Sequence, residues 1–309
     1  MATPHGPRRG SLQFWPRVRA KRIYPRISFF RGDSLTAIAG YKVGMVQYSG
    51  IETRKNVNKG KEIVEAGTVL EVPPLYPISL VFYRKTPYGK KKVMEYFNIK
   101  GLPRDLKKDL KRKIKFKKEE YGKIVDYDEL RIKIATFPRK TKLKKTPEIF
   151  EFGFFDSLEK AKELLGKEIK IEDYFSEGEY VDVTAVTKGK GTQGVIKRFG
   201  VKLRDHKSKK GRRRVGSIGG VVPRKVDWRV PMPGQMGFHQ RTEYNKIIMK
   251  ISDNLEEINP KGGFKGYGLV NSKYVLLKGS VLGPRKRLVF LRKPKKQRKI
   301  VPQVKEILK

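Results

Sequence analysis

The sequence predicts a mainly β protein: one β-barrel whose run of strands is interrupted by a partly helical (α+β) insert and by a long basic loop, with non-globular extensions. Three observations predict it. Two groups of short segments rich in Val, Ile, Tyr and Phe flank a Lys-rich middle, broken by Gly, Pro or Asn in the way of small barrels and sandwiches. The middle shows helical spacing instead. One long stretch in the second half follows neither period.

In chain order, residues 1–34 hold Pro4, Pro7, Pro16 and Pro25 among many arginines and read as an extended basic arm. Phe14, Trp15, Tyr24, Phe29 and Phe30 make it too aromatic for an idle tail. Residues 35–100, with "LTAIAGYKVGMVQY", "EIVEAGTVLEV", "ISLVFYRKT" and "KVMEYFNIK", read as the first part of the barrel. Residues 101–176 read as the insert, where Leu106, Leu110 and Ile114 fall near helical spacing. A second helix is predicted over "DSLEKAKELLG": Asp156 caps it, Glu159 follows three residues on, Leu158, Ala161 and Leu165 share a face, and Gly166 ends it. Residues 177–201 read as a barrel strand and a Gly-rich turn, 202–235 as the long loop, 236–292 as the second part of the barrel, and 293–309 as a basic tail.

Charge narrows the function. Of the 309 residues, 73 are Lys or Arg and 31 are Asp or Glu, a formal +42. A chain so charged repels itself and seeks a polyanion, nucleic acid first and an anionic membrane second. The sequence has no cysteine, which excludes disulfides and thiolate metal sites. No apolar run approaches the ~20 residues that cross a bilayer, and the basic opening lacks the apolar core of a signal peptide. A soluble intracellular protein is expected.

Catalysis finds little footing. His5, His206 and His239 are scattered without metal-ligand spacing, and no Ser sits in a nucleophile elbow. The carboxylates of "EEYGKIVDYDE" read as the solvated face of the insert. "TKGKGTQG", residues 187–194, fails the P-loop spacing. Its Gly189, Gly191 and Gly194 still let backbone N–H groups approach a phosphate, beside Lys188, Lys190, Lys197 and Arg198.

The loop is the strongest signal. Irregular loops beyond ~12–15 residues are uncommon in compact domains unless functional or disordered. Residues 204–235 hold ten Lys or Arg against two Asp, yet thread Val215, Ile218, Val221, Val222, Val226, Trp228 and Val230 between them. Two limbs of roughly 16 residues, at ~3.3 Å per residue, reach up to about 50 Å. Folded RNA would neutralise such an arm along its path, with bases stacking on Trp228 and on guanidinium planes. DNA is the poorer partner, because no DNA-reading helix motif is visible. An RNA-modifying enzyme would need a cofactor loop or an acid–base pair; a DNA-compacting protein would not need the aromatic, glycine-punctuated loop.

"FSEGEYVDVTAVTKGKGTQGVIKR" resembles the signature of the large-subunit ribosomal protein L-three family at Phe175, Asp182, Ala185, Thr187, Gly189, Lys190, Gly191, Gly194 and Arg198. "AGYKVGMVQ", "GSIGG", "PGQMGFHQRTEYN" and "GSVLGPRKRLV" resemble it in the same order, and the insert with "FWPRVRAKRIYPR" is similar to the archaeal and eukaryotic branch. The resemblance implies a six-stranded translation-protein-type barrel, no enzymatic activity, and an extension driven through large-subunit rRNA toward the peptidyl-transferase centre. Its tip falls at Val221, Val222 and Pro223, where eukaryotic members carry Trp, His and Pro. Gln235 occupies the place of a glutamine that is methylated in bacterial members. No cofactor is implied beyond Mg ions carried by the rRNA, and no small-molecule substrate; neighbouring large-subunit proteins are further partners. The resemblance also implies a cytoplasmic protein with no membrane partner.

On these grounds the expected rRNA contacts are Trp15, Arg17 and Arg19 in the arm and Lys188, Lys190, Thr192, Gln193, Lys197 and Arg198 at the Gly-rich turn. Along the loop they are Arg204, His206, Lys207, Lys209, Lys210, Arg212, Arg213, Arg214, Ser217, Arg224, Lys225, Trp228 and Arg229, with Gln235, His239 and Arg241 near its root. Phosphate-directed contacts should outnumber base-directed ones.

Overall fold

The computed structural model describes residues 7–27, 37–53, 57–98, 101–114, 127–155, 157–222, 224–294 and 299–308. The predicted cap Asp156, the tip residue Pro223, Phe29 and Phe30 lie outside them, as do residues 119–126 of the acidic stretch. The elements run β1 (Ala37–Ile51), β2 (Glu62–Glu71), β3 (Leu75–Thr86), β4 (Gly89–Phe97), α1 (Arg104–Lys113), β5 (Glu129–Thr136), β6 (Ile149–Phe155), α2 (Leu158–Leu164), β7 (Tyr180–Val186), β8 (Thr192–Gln193), α3 (Val195–Phe199), β9 (Gly234–Gln235), β10 (Gln240–Ser252), α4 (Leu255–Ile258), β11 (Tyr274–Lys278), β12 (Leu288–Arg292) and β13 (Gln303–Leu308). The chain separates into two compact units, one of residues up to Ile23 with Val186–Gln240, the other of Tyr24–Ala185 with Arg241–Lys309.

In the larger unit, the main sheet has the order β12-β7-β10-β11-β2-β1-β13, and β12 pairs with β1 as well. β1 is the hub. Its first seven residues, Ala37–Val43, are all buried apart from the half-buried Lys42, and Gly40 lets the backbone of Glu71 approach where a Cβ would meet Val72 at 2.8 Å. A β-bulge at Lys42–Gly44 breaks its register with β2. Residues 293–309, read as a basic tail, contain β13, which pairs antiparallel with Gln47–Ile51. Alternation there is weak, with Ile307 the buried residue among charged neighbours, so the strand did not stand out from the Lys-rich composition.

β3 and β4, grouped with 35–100 by composition, pair instead with the insert in a second sheet of order β4-β3-β5-β6. The Val72-Pro73-Pro74 break between β2 and β3 marks the change of sheet, since proline supplies no ladder donor. Tyr41 of β1 spans the two sheets: it is fully buried and its hydroxyl bonds Glu148 Oε2 at 2.5 Å and Thr136 Oγ1 at 3.2 Å. Phe150, Phe152 and Phe290 meet with centroids 4.4–4.8 Å apart in the shared core. Burying each such ring contributes about 1.5–3 kcal/mol.

α1 covers the other face of the second sheet. Leu106 and Leu110, four residues apart, pack on Tyr76, Ile78 and Ala135, as their spacing predicts; Arg139 holds Asp109 beneath them through two hydrogen bonds of 2.5 and 2.9 Å. α2 buries Ala161 and starts after Ser157, and Gly166 follows it with φ +79°. A buried carboxylate pins β2 to the loop before β11. Glu71 accepts from the backbone N–H of Asn271 and Ser272 and from the Ser272 hydroxyl, each at 2.8 Å, and from the Tyr267 hydroxyl. Burial still pushes its pKa up against these donors.

Candidate nucleic-acid interface

The smaller unit is built where two sequence motifs meet. β8 of the Gly-rich turn pairs with β9, Thr192 opposite Gln235 and Gln193 opposite Gly234, so both limbs of the long loop spring from one short ladder. The turn and the returning limb are stitched further. Lys190 N–H donates to Met236 O at 3.0 Å and Met236 N–H to Gly191 O at 2.9 Å. Gly237 sits at φ +69°, where a Cβ would fall 2.1 Å from the Lys188 carbonyl oxygen. Only glycine tolerates both conditions.

Arg198 locks the junction from α3. Its Nε donates to Gln235 O at 3.0 Å and its NH1 to Met232 O at 2.7 Å. Burial draws its pKa down from the ordinary arginine value, without discharging it. Arg198 therefore holds the loop root, with its guanidinium half-buried, while Lys188, Lys190, Thr192 and Lys197 around it are exposed. Gln193 and Gln235 are half-buried; their side-chain amides donate to Lys190 O at 2.6 Å and to Gly237 O at 2.9 Å.

The proline-rich arm packs on this root. Ala20 N–H donates to Phe238 O, and Val18 O meets His239 Nδ1, both at 2.8 Å. His239 is buried, 9% exposed, which makes it a strut of the arm. Trp15 stacks on Phe199 of α3 with centroids 6.5 Å apart and receives Trp228 edge-on at 5.2 Å. Guanidinium groups lie over these rings: Arg17 over Trp15 and Phe199, Arg19 over Phe238, and Arg229 over Trp228. A guanidinium stacked on a ring keeps its in-plane N–H donors available for phosphate. Arg8 joins by donating to Arg229 O at 2.9 Å. Sequence reasoning missed Arg8, Phe199 and Phe238; the aromatic pair Phe14–Trp15 between prolines was the signal that the arm needs an apolar seat.

The loop beyond is irregular, and its cations face solvent. Arg204, Lys207, Lys209, Lys210, Arg212, Arg213, Arg214, Arg224 and Lys225 are exposed, as are His206 and Ser217. Arg204 N–H donates to Arg212 O and Arg212 Nε to Arg204 O, both at 3.2 Å, closing a small turn at Lys210 and Gly211, which have φ +57° and +119°. His206 pairs with its neighbour Asp205 at 2.8 Å. Val221 and Val222 are 82% and 87% exposed. Arg241 belongs to β10 in the larger unit and is half-buried, with its pKa drawn down by burial. Among the described residues, no group of three or more His, Cys, Asp or Glu could hold a metal, and no helix is long and apolar enough to cross a membrane.

Comparison with known proteins converges on one family. The family model described as Ribosomal protein L3 matches residues 1–308. The large ribosomal subunit protein uL3 of Nanoarchaeum equitans is 49% identical over 96% of this chain and 94% of its own length. Its namesakes in Methanosphaera stadtmanae and Methanocaldococcus jannaschii are 45% and 44% identical, covering 95% and 97% of this chain and 93% and 95% of their own lengths.

Proposed function

We propose, for a chain that belongs to the ribosomal protein L3 family, that its long loop threads large-subunit rRNA and braces the region around the peptidyl-transferase centre. It is a cytoplasmic protein of the large ribosomal subunit and not an enzyme. The observation that carries the reading is the contrast within the smaller unit. The root of the loop is fixed by a ladder, the Arg198 clamp and the aromatic seat of the arm, whereas the loop itself exposes its cations and its Val221–Val222 tip. An irregular segment of that charge gains order when phosphates neutralise it and release their counterions.

In this reading Lys188, Lys190, Thr192 and Lys197 take phosphates at the Gly-rich turn, and the loop cations from Arg204 to Arg229 take them along its length, with Ser217 as a neutral donor. Trp228 offers its open face to a base, and Val221, Val222 and Pro223 form an apolar wedge at the tip. Trp15, Arg17, Arg198, Gln235 and His239 hold this array in place, while Arg19 offers a guanidinium edge. The six strands β1, β2, β11, β10, β7 and β12 form the barrel, and β13 of the tail pairs with β1. Any Mg ions at the interface would be the rRNA's own. Cross-linking with mass spectrometry on large subunits containing this chain tests the reading through the peptides of residues 204–230. Attachment to rRNA beside the peptidyl-transferase centre is expected; absence from large subunits, or attachment only at solvent-exposed rRNA, overturns it.

A further inference from the structure

A second cationic element lies far along the chain from the loop. β3 and β4 form a hairpin turned by Pro87 and Tyr88, with Thr86 opposite Gly89. Its register sets Arg84 directly opposite Lys91 and Lys85 directly opposite Lys90. Like charges directly opposite each other destabilise a strand pair, so two consecutive cationic rungs work against the hairpin in water. Tyr83–Val93 contains five Lys or Arg and no carboxylate. Nearby carboxylates relieve part of this charge: Lys90 reaches Glu129 of β5 at 2.5 Å, and Lys92 reaches Glu95 of its own strand. Lys85 and Lys91 form no ion pair among the described residues.

Successive rungs face opposite sides of a sheet. One side of the hairpin therefore presents Arg84 with Lys91, and the other Lys85 with Lys90. A ribbon lying on a flat acidic surface would need charge on one side only; charge on both sides suits insertion between two phosphate strands. The apex carries Tyr88, fully exposed, preceded by a proline that fixes the turn. A lone aromatic ring at a rigid, cationic tip matches base stacking better than membrane insertion, which needs an apolar cluster.

Granted that the chain binds large-subunit rRNA, we propose that the β3–β4 hairpin is a second and separate RNA contact, in which Tyr88 stacks on an unpaired base while Arg84, Lys85 and Lys91 neutralise the phosphates beside it. The test uses the full chain, large-subunit rRNA and a salt titration of the affinity. Each lost phosphate contact lowers the log–log salt slope by roughly 0.7–0.9, so joint replacement Arg84→Gln, Lys85→Gln, Lys91→Gln lowers it by about 2. Tyr88→Ala weakens binding about tenfold at fixed salt, and Tyr88→Phe, which keeps the ring, restores it. Ultraviolet cross-linking should attach the Tyr88 peptide to rRNA. An unchanged slope, equal affinities for the Ala and Phe variants, or attachment of that peptide to protein overturns the proposal. Arg212→Gln, Arg213→Gln, Arg214→Gln in the long loop is run beside it. If this control lowers the slope and the hairpin set does not, only the hairpin assignment falls; if neither does, the RNA reading of the chain falls first.

Discussion

Trp228 meets Trp15 edge-on, with ring centroids 5.2 Å apart and planes at 78°. The pair joins the returning limb of the loop to the arm across more than two hundred residues of chain, yet leaves Trp228 55% exposed. One residue thus fastens the loop root and still offers a ring to solvent.

Trp15→Ala removes that pair, worth about 0.5–1.5 kcal/mol beyond the apolar area it buries. The chain has two tryptophans, so the variant reports on Trp228 alone. Its fluorescence should shift to longer wavelength than that of the same residue in Trp15→Phe, where an edge contact is kept. Identical spectra would show that Trp15 does not shelter it.

Gly237→Ala combines a left-handed backbone with a Cβ 2.1 Å from Lys188 O. The ladder between the Gly-rich turn and the returning limb must open to admit it. A loss of roughly 1–3 kcal/mol is expected in urea denaturation, with faster proteolysis inside residues 202–235. Gly216→Ala, where nothing lies within 4 Å and φ is not left-handed, should change neither readout.

Acid should undo the anchor of α1. The Arg139 guanidinium bonded to Asp109 holds its carboxyl below the ordinary 3.8. A depressed folded pKa adds stability that is present above 3.8 and lost as pH falls through the folded value. Asp109→Asn should therefore lower the denaturation midpoint at neutral pH and flatten its decline as pH falls below the ordinary 3.8. An unaltered acid limb would show that the pair contributes nothing to folding.

Val221→Asp with Val222→Asp alters a tip that touches little in the free protein. Stability of the isolated chain should stay within about 0.5 kcal/mol of the parent. Incorporation into large subunits should fall, because two carboxylates would enter a phosphate-rich site. Normal incorporation and unchanged subunit activity would remove the tip from the rRNA interface.

Much of this architecture was legible in composition and period. α1 follows from Leu106 and Leu110, and the irregular loop from its lack of any period. The assignment of β3 and β4 to a second sheet was not legible, because alternation marks a strand but not its partner. Likewise, "TKGKGTQG" read as a Gly-rich turn and "PGQMGFH" as the junction of the long loop with the barrel; that they are two sides of one ladder depends on Gly237 and Arg198, contacts between segments some forty residues apart. His239 read as a ligand for RNA because a polar side chain in a basic motif gives no sign of burial, and its partner Val18 O is a backbone atom no sequence pattern announces.

β1 ends at Ile51, but its partner β12 begins at Leu288 and its partner β13 at Gln303. During synthesis at ~5–20 residues per second, the first strand waits on the order of ten to fifty seconds before β12 exists to cover its edge. The first strand of the main sheet is therefore paired by strands made more than two hundred residues later. A chain that stops short of Leu288 leaves β1 without its β12 partner along Ala37–Tyr41 and available to any passing strand, so the start of the main sheet is exposed until more than two hundred further residues have been made.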